Sequence, residues 1–125
     1  MNPSCRDALI VALGGGSGAV LRWLASSTAR NFHLSPITAI FAVNISGCFL
    51  FGFLHGFTQS RGHSWHLALL TGLLGGYTTF STFSWDSYQL LSSGRPATAL
   101  ANAAGSSLAG IAAIWLGLLA APRSL

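Results

Sequence analysis

Four apolar stretches of roughly membrane-crossing length divide the chain, separated by short polar punctuation. About 20 predominantly apolar residues cross a bilayer as a helix. The first stretch covers roughly 7–28, between Arg6 and Arg30-Asn31. The second covers roughly 36–57, opening at Ser35-Pro36 and closing at Gln59-Ser60-Arg61-Gly62. Proline suits a first helical turn, where its missing N–H costs nothing. The third covers roughly 64–92, up to Ser92-Ser93-Gly94-Arg95-Pro96, and the fourth roughly 97–121, before Pro122-Arg123. Arg6 ahead of an apolar run imitates a signal peptide, but three more such runs follow, and the segment is read as a first span. The pattern predicts an all-α membrane protein, a single four-span domain over 1–125.

Composition agrees. The chain is 51% hydrophobic and 6% charged, where a soluble domain carries about 25% charged residues. All six cations are arginines, placed singly. They flank spans and form no basic stripe, which argues against a nucleic-acid partner. Four spans put both termini on one side. Arg6, Arg61 and Arg123 fall there, against Arg30 and Arg95, with Arg22 nearer the opposite end. So even a tally gives no preferred orientation, and it predicts dual-topology insertion as an antiparallel homodimer. The alternative is an orientation fixed by a partner or lipid. Cys5 and Cys48 form no disulfide framework. His55, His63 and His66 lack acids or cysteines at metal-ligand spacing and read as interfacial.

The third stretch is too long, and too polar in its middle, for one plain helix. Glycine pairs kink helices, so Gly75-Gly76 predicts a break at mid-membrane. Non-helical backbone at that depth lines a cavity or is buried in protein, and unwound carbonyls there can coordinate a cation. Beyond the break, Phe80, Phe83, Ser84 and Ser87 share one helical face, with Ser81 on its flank. Phenylalanine has an electropositive ring edge, and each hydroxyl donates one hydrogen bond. Such a face either packs against a neighbour or offers an anion a path of weak dipoles that it can leave again.

The other spans add polar outliers. Gly14-Gly15-Gly16-Ser17-Gly18 lacks the lysine of a phosphate loop, and Gly14 with Gly18 makes a small-residue face for close helix packing. Arg22, one turn on, either snorkels to the headgroups or faces an aqueous vestibule. Asn44 is either interhelical glue or a donor on a pathway, and Gly47 and Cys48 keep its face small. Gly52 and Gly56 repeat the close-packing spacing. Asn102, Ser106 and Gly110 are spaced by four on the last span, for packing or for the same polar track.

The run Gly75-Gly76-Tyr77-Thr78-Thr79-Phe80-Ser81-Thr82-Phe83-Ser84 resembles the signature of the CrcB/Fluc family of fluoride channels. Gly15 to Gly18 with Ala19 and Arg22, and Val43-Asn44 with Gly47, support the resemblance. It implies a passive, fluoride-selective channel that lets toxic fluoride out across a bacterial inner membrane. It also implies an antiparallel homodimer in the lipid bilayer, with two pores along the subunit interface. Phe80, Phe83 and Asn44 match the family's pore residues, Ser81, Thr82, Ser84 and Ser106 its hydroxyl track, and Arg22 an arginine near the pore entrance. Gly75 and Thr78 match the positions whose carbonyls hold a structural, untransported sodium ion. Two departures stand out: Asp86, where many members carry glutamate, and Gly110, where a second hydroxyl is expected. The rival reading is a small four-span dual-topology exporter of drugs or cations. It needs an intramembrane carboxylate, and Asp7 and Asp86 are the chain's only acids. A structural subunit would carry no flux, and an enzyme lacks the required pairings of nucleophile, base and metal.

Overall fold

The computed structural model describes residues 4–122, so Arg123 of the charge tally lies outside the described residues. All regular elements within that range are helical. Helix α1 (Cys5–Asn31) starts at a capping box, in which the Asp7 N–H donates to Ser4 Oγ at 3.1 Å and the Ser4 N–H to Asp7 Oδ2 at 3.2 Å. Helix α2 (Pro36–Arg61) starts on a proline, with Ser35 Oγ accepting from the Thr38 N–H at 3.1 Å, and stops at Gly62, whose φ is 96°. Helix α5 (Pro96–Ala120) also starts on a proline, after a turn through Gly94 at φ 74°. Each is long and apolar enough to cross a membrane. Each also outruns its sequence estimate at one end or both, because the capping residues lie beyond the apolar core of the span.

The third span is built in two pieces. Helix α3 (residues 63–77) begins with one α turn, widens into a π-helix over Leu67–Leu74 and returns to α geometry over Gly75–Tyr77. Thr78 (φ −79°, ψ 159°) and Thr79 (φ −150°, ψ 120°) are extended. Helix α4 (Phe80–Ser92) follows. The break therefore falls at Thr78-Thr79 and not at Gly75-Gly76, which are helical. The glycine pair has a different use. A Cβ on Gly76 would collide with the Gly15 carbonyl, whereas one on Gly75 would meet nothing nearer than the Leu70 carbonyl oxygen at 3.8 Å.

Glycine contacts set two helix pairs. Along α1 and α3, Gly14 lies against Ala68 and Gly72, and Gly18 against Leu73 and Tyr77. Along α2 and α5, Gly52 lies against Ile114, and Gly117 against Phe49. Lipid tails are as apolar as leucine, so helices in a bilayer associate through backbone approach of this kind. The small-residue face of Gly14 and Gly18 is thus realised, as is Gly52. Gly56 is not part of it, since a Cβ there meets only the Ala121 Cβ at 4.0 Å. Large apolar side chains such as Leu13, Trp23, Leu100, Leu108 and Ile111 point outward, as lipid contact requires.

A Cβ at Gly18 would come within 2.7 Å of the Tyr77 nitrogen, and that obstacle is backbone with no rotamer to change. Gly18→Ala is expected to destabilise the fold by about 1–3 kcal/mol, the usual cost of overpacking. Gly16→Ala has open space for its Cβ and should leave stability unchanged. Thermal unfolding of the two variants in detergent checks the contrast.

Candidate functional site

The break is held by a side chain from another helix. Asn44 on α2 accepts the Thr79 N–H through Oδ1 at 2.8 Å and donates from Nδ2 to the Thr79 carbonyl at 3.0 Å. One carboxamide therefore pairs both backbone groups of a buried residue, as a neighbouring strand would. Unpaired backbone in a bilayer costs several kcal/mol per group, so this clamp is what makes the extended residue tolerable. Thr79 itself caps α4: its Oγ1 accepts the Thr82 N–H at 3.2 Å and donates to Thr82 Oγ1 at 3.1 Å.

Diverting the Thr79 N–H has a second effect. In an unbroken helix it would reach the Gly75 carbonyl, which is left without its helical donor. The Thr78 N–H still donates to the Leu74 carbonyl at 3.0 Å. The Thr78 carbonyl accepts from Arg22 Nη1 at 3.1 Å. Arg22 is half-buried on α1 and does not snorkel; its guanidinium turns inward to the end of α3.

Around the break lies an open groove of about 400 Å³. Asn44 and Cys48 face it from α2, Gly75, Thr78 and Thr79 from the break, Phe80 and Phe83 from α4, and Ser106 and Ser107 from α5. The two phenylalanine rings lie 5.7 Å apart at 43°. Phe80 is 80% exposed in the single chain, and Phe83 is half-buried. Six residues singled out in the sequence therefore meet at one surface: Asn44, Gly75, Thr78, Phe80, Phe83 and Ser106. Arg22 joins them through the Thr78 carbonyl.

Ser81, Thr82 and Ser84 are not on the groove wall. Thr82 is engaged with Thr79, and Ser81 Oγ lies 3.2 Å from Thr79 Oγ1. The groove's hydroxyls come from Thr78, Thr79, Ser106 and Ser107 instead. Thr79, Ser107 and Cys48 were not singled out as site residues. For Thr79 the sequence does carry a signal, a cap-type threonine three residues before Thr82; for Ser107 and Cys48 it offers only helical spacing from Ala103 and Asn44. At Gly110, where a hydroxyl was expected, a Cβ would lie 3.4 Å from Cys48 Sγ, so the thiol borders that space. Asn102 ties α5 to α4 by donating to Ser87 Oγ at 3.0 Å. Asp86 is buried at 6% exposure, its Oδ2 has no hydrogen-bond partner among the described residues, and it does not line the groove.

Among the described residues no group of three or more His, Cys, Asp or Glu is placed to hold a metal ion. The oxygen donors available to a cation are the carbonyls at the end of α3. The Gly75 carbonyl fits such a role, since it has lost its helical donor at a helix C-terminus, where the dipole is negative. The Thr78 carbonyl fits through its second lone pair, its first being shared with Arg22.

The family model described as CrcB-like protein, Camphor Resistance (CrcB), matches residues 9–118. A protein of Solibacter usitatus named fluoride-specific ion channel FluC is 42% identical over 120 residues, covering 92% of this chain and 98% of that relative. One of Stutzerimonas stutzeri with the same name is 41% identical over 121 residues, covering 90% of this chain and 94% of the relative. A third, from Pseudomonas fluorescens, is 42% identical over 118 residues, covering 88% and 92%. These relatives are named as channels, not enzymes. The four-span pattern, the clamped break and a match running nearly from end to end place the chain in the CrcB family of multi-pass bacterial membrane proteins.

Proposed function

We propose that this protein is a fluoride channel whose anion path runs along the groove beside the break. The observation that carries the reading is the joint placement of Phe80 and Phe83 with the Asn44 clamp on one surface. The names of the relatives supply the ion. Moving a carboxylate-sized ion into a low-dielectric interior costs on the order of 20 kcal/mol in the idealised limit, and a smaller anion costs more. The groove has to offer a donor at each step. Asn44 keeps one amide proton beyond the one given to Thr79. Ser107 donates to the Ala103 carbonyl at 2.9 Å, and Thr78 to the Leu74 carbonyl at 2.9 Å. Turning such a hydroxyl toward an anion sacrifices a bond of about 0.5–1.5 kcal/mol, a cost small enough to allow exchange. Ser106 is freer, its contact to Asn102 being 3.5 Å long. Flow down the gradient through such a path is passive and lowers cellular fluoride.

The path is open on one side in a single chain, with Phe80 largely uncovered. A second, antiparallel copy would close it against lipid, and the balanced arginines favour insertion in both orientations. In such a dimer Ser81, Thr82 and Ser84 would extend the hydroxyl track at the interface. The carbonyls of Gly75 and Thr78, brought together from two copies, would hold a structural sodium ion, which supplies a fixed positive charge and ties the breaks together.

The test is fluoride efflux from liposomes carrying the purified protein, with chloride as control. Fluoride release at least a hundredfold faster than chloride is expected. Absence of anion flux, together with proton-driven uptake of a cationic dye, would replace this reading with that of a small exporter. The buried Asp86 is the one observation on that side, and it lies off the groove.

A further inference from the structure

Arg22 is a half-buried cation in a membrane span with no carboxylate paired to it among the described residues. The chain's two acids are engaged or placed elsewhere. Asp7 belongs to the Ser4 cap at the start of α1, and Asp86 sits on α4 with Oδ2 unpartnered. A charge at that depth is costly and normally pairs with another charge or with backbone carbonyls. The partner of Arg22 is the Thr78 carbonyl, 56 residues away in sequence, at the C-terminal end of α3. That end carries the negative pole of the helix segment and the carbonyl that Thr79 has abandoned. One guanidinium thus meets the negative end of the break within the chain itself.

We infer that Arg22 is the built-in counter-cation of the break and sets the affinity of the carbonyl cation site by sharing the Thr78 oxygen. The inference rests on the sodium reading proposed above. A carbonyl has two lone pairs, so Arg22 Nη1 and a cation can both be held, each at the expense of the other. The hydrogen bond orients the Thr78 carbonyl and keeps the extended turn in place when the cation is absent. The guanidinium charge repels the cation and keeps its binding reversible. Arg22 is therefore a positioning residue whose charge and donor functions have separable effects.

The experiment measures thermal stability of the purified protein in detergent against sodium concentration, with N-methylglucamine holding ionic strength constant. Arg22→Lys retains charge and a donor, Arg22→Gln retains a donor without charge, and Arg22→Met retains neither. Between two cations that share one carbonyl oxygen, like-charge repulsion is large enough to change affinity roughly 10- to 100-fold. The sodium midpoint is expected to fall by at least tenfold in both Arg22→Gln and Arg22→Met, and to stay within about threefold in Arg22→Lys. In the absence of sodium, Arg22→Met is expected to be the least stable of the three. Equal midpoints in all forms would overturn the inference while leaving the sodium reading intact. A wild-type protein whose stability ignores sodium would overturn the sodium reading, and this inference with it. Should Arg22→Met not fold, the contrast of Arg22→Gln with Arg22→Lys decides alone.

Discussion

Phe80→Ile and Phe83→Ile are each expected to reduce fluoride efflux from proteoliposomes to the rate of empty vesicles, while the protein should still extract, fold and run as the wild type does. Isoleucine keeps the apolar bulk and removes the ring. The electropositive edge of each ring is the only polar feature these side chains offer an anion. An anion on the groove wall would then face aliphatic carbon at both positions, with no hydroxyl put in place of the lost ring edge. Losing even 3 kcal/mol at the barrier slows transport more than a hundredfold. Stability should change little. Phe80 is 80% exposed in the single chain, and Phe83 is partly covered, so neither acts as a packed core residue. If both variants conduct fluoride at wild-type rate, the rings are not on the path and the groove assignment is lost.

Asn44→Ala has the second large effect, by a different route. It removes both partners of the Thr79 backbone at once. A buried donor or acceptor left unsatisfied costs about 1–3 kcal/mol, so two of them destabilise the break by roughly 2–6 kcal/mol. The chain can recover part of this by winding Thr79 back into the helix, which would return its N–H to the Gly75 carbonyl. Fluoride flux is then expected to disappear along with the groove geometry, and the thermal midpoint to drop. The control is Asn44→Asp, which can accept the Thr79 N–H through a carboxylate oxygen but cannot donate to its carbonyl. It should retain part of the stability and lose the flux. Unchanged stability in Asn44→Ala would mean that the clamp does not hold the break.

These two residues show how differently the site could be read. Phe80 and Phe83 stand out in the sequence because aromatics at helical spacing beside a dense hydroxyl run are a local pattern. Their convergence on one groove follows from α4 being a regular helix. Asn44 stands out only as a polar residue in an apolar span. Its work is invisible locally, because the residue it clamps is 35 positions away. The break was legible in kind and misplaced by a turn. Glycines at 75 and 76 suggest a kink, but Gly76 is small in order to meet Gly15, and the unwinding occurs where Asn44 captures the next free backbone. Of the expected hydroxyl track, Ser106 lines the groove of the single chain, and Ser81, Thr82 and Ser84 do not. Ser81, Thr82 and Ser84 are adjacent in sequence to the phenylalanines, yet the groove's hydroxyls come from Thr78 and Thr79 in the break and from Ser106 and Ser107 on α5.

The sequence alone determined the number of spans, their approximate limits, the membrane setting and the family. Each depends on a local quantity: the transfer energy of a 20-residue segment, a cap next to it, or a contiguous motif. Only the tertiary structure decided where the third span opens, which hydroxyls reach the groove and what Arg22 does. Those outcomes depend on which helices approach closely enough for a side chain to compete with a helix for its backbone hydrogen bonds. In a bilayer that competition is decided by satisfying every N–H and C=O, and the groups that satisfy the Thr78 carbonyl and both backbone groups of Thr79 lie on two other helices.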